Sequence, residues 1–403
     1  MHLYLKEIKW IPFCMCAVLL IRACVSLYLF PATQMLSYAV LGLSILSFVF
    51  LGVLYLTEKK ITVFGALTIL YFAVLFISTL FNGMNILTVI YMTIEVLLPL
   101  CLFAFYKDHI SVIIKSCGFV FSFIIYANLA VMILFPGWMF EAVRVGDAFL
   151  LGGNYNQMGA RMMCAIVASV VCVRYSKWWV LNTVLLVIVS VFTLLIVGSM
   201  TSIANILVYS LFCLIPSLKL RKMAIVGLFS VFLFFQVFIV FYGEGIHHNE
   251  FAVYIIEDVL GKDITFTGRT YLWDRSVTLI GESPIIGYGC VDKEWFTTYL
   301  HAKAIGPHDF ILGQLLEGGI LLLGVYLAIC VVAIKRLLNH FDSYASYILM
   351  GITTLMFIMV MEFYHVFFIM FLLSLAYYYK EIVNEKSKGD SVLLKTDDNS
   401  HNP

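Results

Sequence analysis

Long apolar segments alternate with short polar connections along almost the whole chain. Runs of roughly 17 to 25 residues, each long enough to cross a hydrocarbon layer as a helix, recur from residue 11 to residue 379. The predicted spans cover residues 11–30, 36–56, 61–80, 86–105, 113–135, 157–174, 178–197, 203–216, 223–242, 309–334, 345–361 and 363–379. This pattern predicts an all-α polytopic membrane protein with about 12 transmembrane helices.

The composition agrees with a membrane protein. Hydrophobic residues make up 63% of the chain and charged residues 12%, whereas soluble domains carry about 25% charged residues. The formal net charge is only +1, so the composition does not support nucleic-acid binding. Every cysteine except Cys290 lies in an apolar segment, where cysteine packs as a small hydrophobic residue. We therefore expect neither a disulfide framework nor a cysteine metal site.

Lysines and arginines gather in alternate connections, for example at residues 59–60, 174–177, 219–222 and 335–336. The positive-inside rule assigns these connections and both termini to the cytoplasm. The first apolar run is long enough to span and no small-residue cleavage site follows it, so we expect it to remain as a helix. The chain is thus predicted to lie in the cytoplasmic membrane as a multi-pass protein.

This topology divides the chain into four parts. Residues 1–242 hold helices one to nine with an external loop at 136–156, and residues 243–308 form a long external loop. Residues 309–380 hold helices ten to twelve, and the polar residues 381–403 are predicted to be a disordered cytoplasmic tail. Amphipathic segments in the long loop predict short interfacial helices. Two external intervals too long for simple turns are the places to look for function.

The long loop carries Arg269 and Arg275, and His308 stands at its far end. The planar fork of arginine donates paired hydrogen bonds to phosphate oxygens, which suits a diphosphate. The alternative is that both arginines reach lipid phosphates. His308 can exchange a proton near neutral pH at the external mouth of the bundle. The alternative for this histidine is a solvated residue at a helix start, with Asp309 as the N-cap.

The first external loop contains Arg144 and the sequence Gly-Gly-Asn-Tyr-Asn at residues 152–156. Asn154 and Asn156 offer donors and acceptors for sugar hydroxyls or phosphates, although this sequence is also ordinary turn chemistry. Arg161 follows inside a predicted span. A charge at the centre of a span costs about 2.5 to 3.5 kcal/mol and normally faces a polar cavity.

Three further ionisable residues fall within predicted spans. Arg22 and Glu95 either pair with each other or line a groove, and a structural pair is the default interpretation. Glu317 lies in the tenth span directly before two glycines, which allow close approach of another segment.

Four different short motifs follow one another between residues 268 and 319. They are Gly-Arg-Thr at residues 268–270 followed by Trp273, Pro-X-X-Gly-X-Gly at 284–289, Pro-His-Asp at 307–309 and Leu-Glu-Gly-Gly at 316–319. In this combination and layout the chain resembles the O-antigen ligase and polymerase family. A looser match adds Arg144 with residues 153–156 and the turn at 198–202. The chain departs from the family at Asp309, where members often have asparagine, and at Met200, where they often have arginine.

The resemblance implies a glycosyltransferase that works at the outer face of the cytoplasmic membrane on sugars carried by undecaprenyl diphosphate. It implies Arg269 and His308 as catalytic residues, with His308 as the general base. Candidate diphosphate ligands are Arg144, Arg161 and Arg275. Candidate sugar or acceptor ligands are Asn154, Asn156, Asp309 and Glu317. We expect no cofactor and no metal, because several arginines can neutralise a diphosphate.

The expected partners are an undecaprenyl-diphosphate-linked oligosaccharide, membrane lipid, and the flippase and chain-length regulator of the same pathway. A polymerase would transfer the growing glycan onto the next lipid-linked repeat unit, and a ligase would transfer it to a different acceptor. We favour the polymerase, although the motifs themselves do not discriminate. A lipid-linked oligosaccharide flippase and a non-catalytic sensor remain alternatives. The single long loop and the lack of an internal repeat disfavour a transporter.

Overall fold

The computed structural model describes residues 10–25, 34–57, 61–134, 150–151, 157–242, 254, 269–361 and 365–385. These residues form helices joined mainly by short turns. The helices are α1 (Trp10–Cys24), α2 (Gln34–Thr57), α3 (Val63–Phe81), α4 (Ile86–Phe105), α5 (Ile110–Leu134), α6 (Gln157–Cys172), α7 (Trp178–Val197), α8 (Met200–Cys213), α9 (Leu218–Phe235), α10 (Arg269–Glu282), α11 (Lys293–Tyr299), α12 (Phe310–Leu338), α13 (Ser343–Met361) and α14 (Phe367–Tyr377). A π-helical turn, Gln236–Val240, extends α9.

The predicted fold class is confirmed. Each of the twelve predicted spans overlaps one apolar helix, and α10 and α11 lie within the predicted external loop. Eight helices are long and apolar enough to cross a membrane, and α1, α6, α8 and α14 are shorter apolar helices. Most predicted boundaries that lie among the described residues are correct to within a few residues, because long apolar runs with polar ends mark helices strongly.

The interior of the bundle is built around α12 and α14. Helix α12 packs along α3, and α14 lies among α4, α6, α12 and α13. Every residue of α14 is buried, and nearly every residue of α6 is buried as well. Other helices bury one side only, as α7 does, and carry large hydrophobic residues on the outside. In a membrane-spanning bundle these outer residues face lipid.

One end of the bundle, which we call the basic end, collects the basic connections. There Arg174 forms an ion pair of 2.8 Å with Asp342, and Arg336 pairs with Glu381. Glu385 accepts hydrogen bonds from the backbone and side chain of Ser111. Residues 381–385, placed in the predicted disordered tail, are therefore helical and bonded to the bundle. Residues 386–403 lie outside the described residues.

Candidate active site at the end of the bundle opposite the basic end

Six of the nine candidate site residues lie in the described part of the chain. They are Arg161, Arg269, Arg275, His308, Asp309 and Glu317. Arg144, Asn154 and Asn156 lie outside the described residues, so their proposed contacts stay predictions.

Arg269 is the first residue of α10, and Trp273 is placed one turn later on the same side of the helix. The Trp273 side chain is fully buried and contacts the ring of Phe235 edge-on, with 6.3 Å between the ring centres. It belongs to one apolar cluster with Leu312 of α12 and Val360 of α13. This cluster anchors the N-terminal half of α10, and with it Arg269, where α9, α12 and α13 meet.

The exposed side of α10 is polar. Tyr271, Asp274, Thr278 and Glu282 are exposed, whereas the apolar residues of the helix turn towards the bundle. The sequence predicted short interfacial helices in this loop. In the structure Trp273, Val277 and Leu279 of α10 pack on other helices, because α9, α11 and α12 offer them an apolar surface.

His308 lies in the turn directly before α12. It is the one non-glycine residue in the described part of the chain with a positive φ, which is 50°. A left-handed backbone is strained for histidine, and such conformations persist only where the surroundings enforce them. The His308 side chain is half-buried, and its neighbours Pro307 and Asp309 are buried. The surroundings therefore hold the backbone of this turn, and His308 itself is partly exposed.

Asp309, the next residue, fixes this turn to the start of α12. Its side chain is fully buried, and its Oδ1 accepts a hydrogen bond of 2.7 Å from the Leu312 backbone N–H as the N-cap of α12. The Nε2 of Gln236, the first residue of the π turn, donates to the same oxygen at 3.3 Å. This burial favours a supporting role for Asp309 over the direct acceptor contact that the sequence suggested.

The other two oxygens of this pair, Asp309 Oδ2 and Gln236 Oε1, are buried and have no hydrogen-bond partner in the described part of the chain. A cavity of about 10 Å³, roughly the room that one water needs, lies against both side chains. Burial raises the pKa of the Asp309 carboxyl to about 7. The neutral acid is therefore well populated near neutral pH, and it can donate a hydrogen bond.

We expect Asp309→Asn to retain most of the wild-type activity. The amide oxygen keeps the cap of α12, and the amide nitrogen supplies the donor that a neutral carboxyl supplies. Asp309→Ala should be less stable by about 1 kcal/mol from the lost cap alone. Transfer activity and the thermal unfolding midpoint of both variants test this. If Asp309→Asn folds normally but is as inactive as a His308 variant, the carboxylate charge itself takes part in the reaction.

Arg275 has a structural contact. Its Nε donates a hydrogen bond of 2.9 Å to the backbone oxygen of Tyr299, the last residue of α11. The bond ties α11 to α10 next to Trp295, which packs on Tyr288 and Tyr299. Part of the Arg275 guanidinium is thus used in folding, which makes it a weaker diphosphate candidate than Arg269.

The Pro-X-X-Gly-X-Gly segment at residues 284–289 pairs with a break in α12. Gly319 has φ 62° and ψ −160°, which interrupts the helix. The Tyr288 N–H donates to Leu316 O at 2.7 Å, the Gly289 N–H to Glu317 O at 2.8 Å, and the Ile320 N–H to Pro284 O at 2.9 Å. Non-helical backbone within a membrane bundle requires such partners, because lipid provides none.

Helix α3 forms the third side of this junction. The Ser78 hydroxyl contacts the backbone oxygens of Ile286 and Glu317, the latter at 2.8 Å. The Asn82 side chain donates to Gly287 O at 3.2 Å, and Thr79 accepts from the Cys290 N–H at 2.9 Å. Polar side chains of α3 therefore bind the backbone of segment 284–290 and of α12.

The glycines of these motifs are required by close approach. A Cβ atom on Gly287 would lie 2.4 Å from Leu316 O, and one on Gly289 would lie 2.6 Å from the Thr79 Cα. A Cβ on Gly319 would lie 2.2 Å from Ile285 O. These distances are far below van der Waals contact, so packing alone accounts for the glycines, without any ligand.

Glu317 lies at the same break. It is seven residues into α12, about 10 Å along the helix from its N-terminus. The residue is 3% exposed, and its carboxyl makes no hydrogen bond or ion pair within the described residues. The structure thus places Glu317 deep beside α3 and away from the His308 turn. A direct contact with an acceptor sugar, suggested from sequence, is not favoured by this position.

Arg161 is near the start of α6 and has partners of its own. Its Nη1 donates to Leu151 O at 2.8 Å, and its guanidinium lies over the Phe368 ring of α14 at 5.8 Å. Nearby, the predicted pairing of Arg22 with Glu95 is confirmed at 3.1 Å, and Glu95 also approaches His365 Nε2 at 3.4 Å. Arg22, Glu95 and His365 thus form one group of ionisable side chains.

The sequence interpretation missed Gln236 and Ser78. Both are polar residues inside predicted spans, and that position was the available signal. The partner of Gln236 is Asp309, more than 70 residues away in the chain, and a partner of Ser78 is the backbone of Ile286, more than 200 residues away.

These features define the class of protein: a multi-pass helical membrane protein in which the start of α10, with Arg269, and the His308 turn lie at the same end of the bundle. Residues 185–327 match the sequence profile of the family described as O-Antigen ligase. This match runs from α7 into α12 and contains α10, the His308 turn and the glycine junction. The resemblance to the O-antigen ligase and polymerase family is thereby confirmed.

A curated relative agrees with this result. "Exopolysaccharide production protein ExoQ" from Rhizobium meliloti (strain 1021) is 29% identical over 122 residues. The alignment covers 27% of this chain and 28% of the relative. The chain thus matches little more than a quarter of that relative. Both comparisons therefore show what part of this chain is similar to: the O-Antigen ligase family and an exopolysaccharide production protein.

Proposed function

We propose that this protein is a polysaccharide polymerase of the O-antigen or capsule type. It transfers a glycan from undecaprenyl diphosphate onto the next lipid-linked repeat unit at the outer face of the cytoplasmic membrane. The observation that carries the proposal is the apolar cluster of Trp273 and Leu312, which brings the start of α10 and the His308 turn to one end of the bundle. The opposite, basic end is the cytoplasmic one by the positive-inside rule.

The donor sugar reacts at its anomeric carbon. The acceptor hydroxyl oxygen forms a bond to that carbon, the bond to the diphosphate oxygen breaks, and its electron pair leaves with the diphosphate. Arg269 stabilises the growing negative charge, aided by the N–H groups and dipole at the N-terminus of α10. His308 takes the proton of the acceptor hydroxyl. The polymerase releases one undecaprenyl diphosphate for each linkage.

In this proposal the other candidate residues bind substrate or position the catalytic residues. Arg144 and Arg161 are further diphosphate ligands, and Asn154 and Asn156 contact sugar or acceptor. Arg275 supports the fold of α10 and α11 with one nitrogen and has its other nitrogens left for phosphate. Asp309 positions the His308 turn.

We expect Arg269→Lys to lower transfer activity by about 100-fold, the loss typical of removing one preorganised donor to developing charge. Lysine keeps the charge but not the planar fork, so it cannot reproduce paired hydrogen bonds to phosphate oxygens. Turnover of a lipid-linked repeat unit by purified protein measures the effect. Lys293→Arg, an exchange on the exposed surface of α11, is the control. Near-normal activity of Arg269→Lys would mean that only bulk positive potential matters.

The reaction should not require a divalent metal, because arginine donors take the place of a cation at the diphosphate. Purified protein treated with a chelator should retain its activity. Abolished activity that returns when one divalent ion is added back would contradict this part of the proposal.

A ligase is the second candidate, and the O-Antigen ligase description of the matched family favours it. The glycan profile of cells lacking the protein separates the candidates. Single repeat units on the outer face without long chains would support the polymerase, and long chains left on the lipid carrier would support the ligase. Repeat units trapped on the cytoplasmic face would overturn both in favour of a flippase.

A further inference from the structure

A large groove lies between α7 and α8, far from the candidate active site. Its volume is about 690 Å³. The first half of α7 and the second half of α8 form its walls. Helix α6 forms its floor, and the start of α13 also lines it. The two helices are joined by a short turn at Gly198 and Ser199, and the groove lies at the opposite ends of both helices, towards the basic end.

The walls of this α7–α8 groove are apolar. Val184 and Ile188 of α7 and Leu211 of α8 contribute exposed hydrophobic side chains, and Ile166 and Val170 of α6 form a buried floor. A hydrocarbon chain is the kind of molecule that such a surface takes up from a bilayer.

A lysine, Lys177, lies at the end of the groove where α7 begins. Lys177 precedes α7 with helical backbone angles, φ −62° and ψ −23°. It stands three, seven and ten residues before the lining residues Val180, Val184 and Val187, so it continues the groove-lining side of α7. Lys177 is exposed and forms no ion pair within the described residues.

A second exposed lysine, Lys219, follows the groove residue Leu214 by five positions and also lacks an ion pair in the described part of the chain. The nearby arginines are engaged internally. Arg174 pairs with Asp342 at 2.8 Å, and Arg221 donates to Ile215 O at 2.6 Å and lies over the Tyr347 ring. Lys177 and Lys219 are therefore exposed basic residues near this end of the groove that form no ion pair among the described residues.

We propose that the α7–α8 groove binds an anionic phospholipid of the leaflet at the basic end. One acyl chain lies in the groove, and the phosphate head group lies at Lys177 and Lys219. Basic residues next to a gap between membrane helices bind anionic head groups in this way. The lysines favour a phospholipid over a polyprenyl tail, because the proposed diphosphate site is at the opposite end and the tail itself carries no charge.

The test measures binding to the purified protein by its thermal unfolding midpoint, as dioleoyl phosphatidylglycerol or dioleoyl phosphatidylcholine is titrated in. Val184→Trp fills the groove. Ile196→Trp is the matched control, because both residues are 50% exposed on α7 and only Val184 lines the groove. Lys177→Gln removes the charge without altering the apolar walls.

Phosphatidylglycerol should raise the midpoint of the wild type and of Ile196→Trp with saturation, and should have no saturable effect on Val184→Trp. Lys177→Gln should bind it about five-fold more weakly. An equal response to phosphatidylcholine, or wild-type binding by Val184→Trp, would overturn the proposal. Saturable stabilisation by undecaprenyl phosphate alone would assign the groove to the polyprenyl tail instead. If Val184→Trp does not fold, unchanged binding by Lys177→Gln overturns the proposed head-group site.

Discussion

Replacing His308 by alanine should abolish glycan transfer while leaving the protein inserted and folded. Removal of a general base costs roughly 100-fold to 10,000-fold in rate. The residue is half-buried in a turn, and the cap of α12 comes from Asp309, so we expect the helix start to form without the imidazole. Turnover of a lipid-linked repeat unit by purified protein, with the thermal unfolding midpoint of the same sample, measures both effects.

Two further variants isolate the role of the imidazole. His308→Asn preserves the backbone, since asparagine tolerates the left-handed φ of 50° better than most residues. It should be as inactive as His308→Ala. His301→Ala changes an exposed histidine between α11 and α12 and should retain activity. Activity of His308→Ala close to the wild type would remove the proposed base from the mechanism.

Gly319→Ala should prevent formation of the native bundle. The added Cβ would lie 2.2 Å from Ile285 O, and alanine would have to adopt a φ of 62°. Backbone cannot move aside here, because Ile320 and Leu321 bond to the same segment at Pro284 and Ile285. We expect a loss of about 4 kcal/mol or more in stability, the range in which overpacking and backbone strain combine.

The same helix supplies the control for this substitution. Gly324 of α12 has no atom within 4 Å of an added Cβ. Gly324→Ala should be neutral or stabilising by up to about 1 kcal/mol, because alanine favours the helix. Yield and unfolding midpoint in detergent compare the two variants. Equal behaviour of both would show that the break in α12 and its pairing with residues 284–289 do not matter for folding.

The helices were predictable because membrane spans depend on a local property, an apolar run of sufficient length. The order of the motifs also located the part of the chain that matches the O-Antigen ligase profile. The glycine pair before Ile320 indicated close approach, but its partner segment could not be identified, since residues 284–289 approach through backbone groups that carry no sequence signal.

Individual side-chain roles were less predictable. The sequence placed Asp309 and Glu317 together as sugar or acceptor ligands. The structure buries Asp309 against Gln236 and buries Glu317 beside α3, about 10 Å along α12. Which side of a helix a polar residue faces depends on the neighbouring helices, and their arrangement is a long-range property of the fold.

The most direct test of the proposed function uses the purified protein in vesicles with one defined undecaprenyl-diphosphate-linked repeat unit. We expect glycans of several repeat units on the lipid carrier and one undecaprenyl diphosphate released for each new linkage. Both products should be lost in the His308→Ala protein. If the repeat unit stays unextended with the wild-type protein but crosses the vesicle membrane, the protein is a flippase and the proposed chemistry is wrong.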